Sequence, residues 1–151
     1  MIRIVEGDIL QAPENIICHQ VNCQGVMGSG LAKQIRARYP TVYNYYKDLC
    51  KKNDPDKQLG AVLFMEFGDK VIANIFGQVN YGRSGVFTDY EGLRKGFLSV
   101  LYEATEIYKN YTIAIPYKIG CGLAGGDWEI VYQMIEEIFK DYEVTLYKLN
   151  A

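Results

Sequence analysis

Residues 15–33 read Asn-Ile-Ile-Cys-His-Gln-Val-Asn-Cys-Gln-Gly-Val-Met-Gly-Ser-Gly-Leu-Ala-Lys, and this stretch decides the fold. Asn15–Gln20 opens it as a short strand around the apolar Ile16-Ile17-Cys18, read as buried. Three glycines follow at 25, 28 and 30. Gly30–Tyr39 has helical spacing, with Leu31, Ile35 and Arg38 near one face. A buried strand, a glycine-rich turn and a helix form the opening of an α/β unit. Glycine lets backbone approach a ligand closely, and the N–H groups at a helix start favour an anion.

The pattern repeats further along the chain. Thr112–Pro116 reads as a β-branched strand. The loop Tyr117-Lys118-Ile119-Gly120-Cys121-Gly122-Leu123-Ala124-Gly125-Gly126-Asp127 follows, with four glycines before a helix that extends to about Lys140. Ligands in open α/β sheets bind beyond the carboxyl ends of the strands. Two glycine-rich loops at two such ends suggest a clamp on a diphosphate. Neither loop has Walker A spacing, since no Lys-Ser/Thr follows the last glycine, nor Gly-x-Gly-x-x-Gly with a distant acid.

The remaining elements fit around these two. Ile2–Val5 reads as a first strand and Glu143–Leu149 as a last one. Pro40 ends the first helix and opens the next, to about Lys51. The polar stretch 51–57 reads as a loop within the domain. Ala61–Glu66 and Val71–Phe76 read as a hairpin turned at Gly68-Asp69. Thr88 with Glu91 reads as a capping box for a helix to about Lys109. Strand and helix alternate, so the expectation is an α/β fold: one domain over residues 1–151, three α/β/α layers, and a central mixed sheet.

Bulk properties narrow the function. A chain of 151 residues with 49% hydrophobic and 23% charged residues has the composition of one globular domain. Its net charge of -2, without a basic stripe, argues against non-specific nucleic-acid binding. No apolar run reaches membrane-spanning length, and the N-terminus lacks a signal-peptide core, so no membrane association is expected. Cys18, Cys23, Cys50 and Cys121 have no metal-ligand spacing and read as reduced thiols of a cytoplasmic protein. No metal and no cofactor is expected.

Several further residues have two readings each. His19, the sole histidine, is a satisfied core residue or a proton carrier near neutral pH. Asp127 is a helix N-cap or a water-positioning carboxylate. Asp8 is a turn cap or a ligand acceptor. Arg83, in Asn80-Tyr81-Gly82-Arg83, is a solvated loop arginine or a bidentate phosphate ligand. Trp128 reads as helix packing.

Gly7-Asp8-Ile9 after the first strand, His19-x-x-Asn22 before Gly-Val-Met-Gly-Ser-Gly, and Gly120-Cys121-Gly122-Leu123 before Gly-Gly-Asp-Trp resemble macrodomains in order and spacing over nearly the whole chain. They are most similar to the branch containing ADP-ribose 1''-phosphate phosphatases and ADP-ribosyl hydrolases. The resemblance implies a ligand: ADP-ribose, or a derivative substituted on the distal ribose, with ADP-ribosylated macromolecules as further partners. Asp8 and Ile9 would meet the adenine. Gly25-Val26-Met27-Gly28-Ser29-Gly30-Leu31 and Ile119-Gly120-Cys121-Gly122-Leu123-Ala124 would hold the diphosphate and distal ribose. His19, Asn22 and Asp127 would be catalytic, and Tyr147 or Tyr142 would cover adenine. Glutamate- and DNA-linked hydrolases of that branch use a lysine after the strand equivalent to Val71–Phe76 and an acid directly after Gly-Cys-Gly-Leu. Here Gly77-Gln78 and Ala124 stand at those places. The expected activity is therefore a metal-independent ADP-ribose 1''-phosphate phosphatase. The alternatives are a non-catalytic reader of ADP-ribose and an ADP-ribosyl hydrolase that does without the lysine.

Overall fold

A computed structural model describes residues 1–149. Six strands form one sheet: β1 (Ile2–Glu6), β2 (Ile16–Val21), β3 (Val62–Phe67), β4 (Lys70–Phe76), β5 (Ile113–Pro116) and β6 (Val144–Lys148), in the order β1-β6-β5-β2-β4-β3. All neighbours run parallel except β3, which returns antiparallel on β4 through Gly68-Asp69. The helices are α1 (Gly30–Arg38), α2 (Pro40–Lys52), the single turn α3 (Pro55–Gln58), α4 (Tyr90–Tyr102) and α5 (Trp128–Ile138).

Strand side chains alternate between two separate cores, because successive residues point to opposite faces. On β2, Ile16 and Cys18 enter a cluster with Leu93 and Phe97 of α4 and Val131 and Ile135 of α5. Ile17 and Val21 enter another with Ile35 of α1 and Val42 and Tyr46 of α2. On β4, Val71, Ala73 and Ile75 take the first side, and Ile72 and Phe76 the second. The sheet is thus a middle layer with helices on both faces, the expected α/β/α arrangement with a mixed sheet.

Local readings held where the signal was local. Pro40 ends α1 and begins α2, and Asp127 caps α5 by accepting from the Glu129 amide at 2.9 Å. The capping box at Thr88 did not form. Asp89 is the N-cap of α4, accepting from the Gly92 amide at 2.8 Å. The Thr88 hydroxyl is committed instead to the Gly120 carbonyl, 2.6 Å away. Nor does that helix continue unchanged to Lys109: it loosens into a π-turn over Glu103–Ile107, and Lys109 and Asn110 turn left-handed. The 51–57 stretch, expected as a loop, contains the start of α3, capped by Asp54.

The topology marks one crevice. β2 and β5 are neighbours, yet the chain leaves β2 for α1 on one face and leaves β5 for α5 on the other. Their ladder extends only over Ile16–Ile17 against Ile113–Ala114. Beyond it the two carboxyl ends carry their loops apart, which is the geometry of a ligand crevice at a switch point. No helix among the described residues is long and apolar enough to cross a membrane.

Candidate ligand cleft

A cleft of about 670 Å³ occupies that crevice. Three loops wall it: the one after β2, the one after β4 and the one after β5. They are joined to each other by backbone bonds. The Cys23 amide donates to the Val79 carbonyl at 3.0 Å, and the Phe87 and Thr88 amides donate to the Ala124 carbonyl at 2.7 and 3.1 Å. A side-chain chain runs beneath them. Gln20 Nε2 donates to Gln78 Oε1 at 2.8 Å and to Thr88 Oγ1 at 2.9 Å, and Thr88 passes the chain on to Gly120.

The first loop ends at the start of α1. Ser29 is the N-cap by position, but its side chain makes no cap bond, and the first turn carries no acidic residue. The first N–H groups of a helix lack intrahelical partners. Here they belong to a stretch, Ser29 to Ala32, that lines the cleft. An uncapped helix start facing a cleft is a ready site for an anion. The charged side chains of the lining point the same way. They are Arg83 and Lys118, and the lining contains no Asp or Glu. Lys118 itself is held left-handed at φ 63, a strained conformation for a residue with a side chain.

Asn22 shapes the loop. Its Nδ2 donates to the Val26 carbonyl at 2.8 Å, and its Oδ1 accepts from the Gln24 amide at 2.9 Å. Tyr46 of α2 reaches it from below. The residue is buried but remains on the cleft wall.

His19 also lines the cleft and is 2% exposed. It stands opposite Asn74 in the β2–β4 ladder, and its Nε2 lies 2.5 Å from Asn74 Oδ1. Nδ1 is buried without a partner. Burial pulls the imidazolium pKa down from 6.5 to about 4, with the Asn74 bond opposing. His19 is therefore neutral at neutral pH.

Of the residues proposed from sequence, the cleft gathers His19, Asn22, Val26, Gly28, Ser29, Gly30, Leu31, Ile119, Gly120, Gly122, Leu123 and Ala124. Others support it from outside. Gly25 turns the loop over α2 beside Cys50, and Met27 is buried in the second core. Cys121 turns inward against the first core, with Sγ 3.4 Å from the Ile119 carbonyl. Asp8 and Ile9 lie at the same end of the sheet, after β1, and not in the lining. Asp8 caps a short turn by accepting from the Leu10 amide at 2.9 Å, and Ile9 is buried. Asp127 is exposed, caps α5 and lies outside the lining.

Tyr147 and Tyr142 are also outside the lining. Tyr147 Oη is 2.5 Å from Glu14 Oε1, and Tyr142 donates to the Tyr111 carbonyl at 2.5 Å. The aromatic residues on the cleft wall are Tyr81 and Tyr117. Trp128 packs edge-on against Tyr117, centroids 5.1 Å apart, and so buttresses that wall. Tyr117 and Lys118 line the cleft beyond the residues expected from the loop motifs, and Gln20 and Asn74 carry no expected role. Gln20 ends the buried run and has a signal: a polar residue at the carboxyl end of a central strand. Asn74 has none, because its role depends on its cross-strand neighbour. Gln78 and Ala124, the residues at the places where the resemblance implies a lysine and an acid, both line the cleft.

The chain is similar to known proteins in sequence and fold. The chain is 28% identical to a solved protein of unknown function from Bacteroides thetaiotaomicron, with a TM-score of 0.85 over 99% of this chain and 98% of that one. It is 27% identical to the macrodomain of Mycobacterium tuberculosis DarG, with a TM-score of 0.82 over 100% and 98%. Among curated relatives, it is 29% identical to the DNA ADP-ribosyl glycohydrolase of M. tuberculosis over 97% of this chain, and it spans 42% of that protein's length. It is 26% identical to the ADP-ribose 1''-phosphate phosphatase of Saccharomyces cerevisiae over 98% of both chains. The Macro domain family model matches residues 18–135. Those residues run from within β2 into α5 and take in all three cleft loops, and the chain belongs to the Macro domain family.

Proposed function

We propose that this chain is an ADP-ribose-binding hydrolase and that its substrate is ADP-ribose 1''-phosphate. One observation carries the reading: the cleft sets the uncapped start of α1 and two cationic side chains around a space with no carboxylate in its lining. Two anionic groups suit such a space, the diphosphate over the α1 amides and a terminal phosphate toward Arg83 and Lys118. Binding fixes the reacting phosphoryl group against His19, and such positioning supplies much of the rate. A neutral imidazole accepts a proton. As a water oxygen bonds to phosphorus, His19 takes that water's proton; the bond from phosphorus to the 1'' oxygen breaks, and the proton passes to that oxygen. Asn22 holds the loop against the distal ribose.

A second reading is release of ADP-ribose from a modified macromolecule, favoured by the 29% identity to the DNA ADP-ribosyl glycohydrolase. Gln78 and Ala124 weigh against it, since neither serves as the nucleophile or acid that the resemblance assigns to those places. Incubation with ADP-ribose 1''-phosphate, ADP-ribosylated DNA and ADP-ribosylated protein in parallel decides between the two. Release of inorganic phosphate alone supports the first. Release of ADP-ribose alone replaces it with the second. ADP-ribose binding in calorimetry with no release from any substrate makes the chain a reader.

A further inference from the structure

We propose that Asn74 is a positioning residue that locks His19 into the tautomer with its proton on Nε2, leaving the Nδ1 lone pair to accept from a hydroxyl or water in the cleft. This rests on the reading of His19 as the proton acceptor, and it names the nitrogen.

Asn74 is fully buried in the middle of β4. Its Nδ2 donates to the Leu63 carbonyl at 2.9 Å and faces the Ile72 carbonyl at 3.5 Å. Turning the amide over would set its oxygen against two carbonyl oxygens. The orientation is therefore fixed by backbone on β3 and β4. Oδ1 is left facing His19 Nε2, and a carboxamide oxygen only accepts. The proton of the bond must belong to Nε2, so Nδ1 carries a lone pair.

That lone pair has no partner, although buried polar atoms are nearly always paired. His19 shares its face of β2 with Ile17 and Val21, which pack with Met27, Ile35 and Phe76, and the His19 pKa is shifted by burial and the Asn74 bond, with no charged neighbour among the causes. Among the ionisable groups of that cluster, burial raises the pKa of Cys23, to about 12, and of Tyr46, Cys50 and Tyr147. Histidines that must hold one tautomer often rest on a carboxylate. A carboxylate would also raise the pKa of the ring. Asn74 supplies the orientation without the charge, so the base stays free to take a proton.

His19 is the chain's sole histidine, so long-range proton–nitrogen spectra of the labelled protein contain one imidazole. At pH 7 the expected pattern is a protonated Nε2 and an unprotonated Nδ1, with the Nδ1 resonance moving when ADP-ribose is added. Asn74→Leu is expected to mix the tautomers and lower kcat more than tenfold, with ADP-ribose affinity within about twofold. Asn74→Asp keeps an acceptor for Nε2 and adds charge, at the cost of setting its second oxygen against the Leu63 and Ile72 carbonyls. It is expected to retain the tautomer, raise the His19 pKa by a unit or more and move the acid limb of the pH–rate profile equally. A wild-type spectrum with the proton on Nδ1 overturns the proposal, as does an unchanged tautomer in Asn74→Leu or a motionless Nδ1 signal in protein saturated with ADP-ribose. Absence of turnover or of ADP-ribose binding, with the wild-type and variant tautomers as expected, removes the functional reading and upholds the tautomer assignment.

Discussion

The hydroxyl of Tyr46 lies 2.7 Å from both the carbonyl oxygen and the Oδ1 of Asn22, so the second helix holds the first cleft loop through one residue. Tyr46 is fully buried, and its hydroxyl faces both acceptors of Asn22, of which Oδ1 also accepts from the Gln24 amide. Tyr46→Phe keeps the ring and removes that hydroxyl. It should cost about 1–3 kcal/mol, the penalty for leaving a buried acceptor unsatisfied. ADP-ribose affinity should fall several-fold with it, because the 22–26 turn loosens. Urea denaturation and calorimetry on the same preparation check both halves.

His19 makes stability depend on pH in a known direction. Its folded pKa, about 4, lies below the ordinary 6.5, so the unfolded chain binds the extra proton. Stability from this group is fully present above pH 6.5 and is lost as pH falls toward 4. The full loss is on the order of 3 kcal/mol. His19→Gln should remove that component, and the difference between the wild-type and variant stability curves should fall between pH 6.5 and 4. A flat difference over that window would show that the histidine is not held neutral.

Arg83 and Lys118 are the two cationic side chains of the cleft wall. If they grip a terminal phosphate, Arg83→Ala should raise KM for ADP-ribose 1''-phosphate by about tenfold, the loss of one charge-assisted contact. Affinity for ADP-ribose, which lacks that phosphate, should change far less. Lys118→Ala should act in the same direction. Equal losses for both ligands would place Arg83 on the diphosphate instead.

Asp127 can be tested with its cap kept intact. Asparagine caps a helix about as well as aspartate, so Asp127→Asn should retain stability, while Asp127→Ala should cost about 0.5–2 kcal/mol. The exposed cap position outside the cleft lining predicts that Asp127→Asn also retains turnover. A large drop in kcat for that variant would restore the carboxylate to the catalytic set.

Gly125 ties two cleft loops by the absence of a side chain. It sits at φ 73, and a Cβ there would come within 2.1 Å of the Gly85 carbonyl oxygen. Both atoms belong to backbone, so neither can step aside cheaply. Gly125→Ala should push the 80–88 loop off the 118–126 loop and break the Phe87 and Thr88 bonds to Ala124. A fall in melting temperature together with weakened ADP-ribose binding is the expected result.

The sequence by itself determined the features whose physics is local. A buried strand, a glycine turn and a helix start follow one another within twenty residues, and the Asp127 cap acts across two. Their reading survived folding because no distant group competes for the same atoms. The misreading at Thr88 shows the converse: its hydroxyl was free to cap α4, but the Gly120 carbonyl, 32 residues away, claimed it. His19 carries the same lesson into the site. Core residue and proton acceptor looked like alternatives in the sequence. The tertiary structure makes His19 a core residue on the cleft wall: Asn74, 55 residues on, takes one ring nitrogen, and the other is buried without a partner. Which nitrogen is left without a partner depends on strand order and register, and these are decided only when β4 pairs with β2.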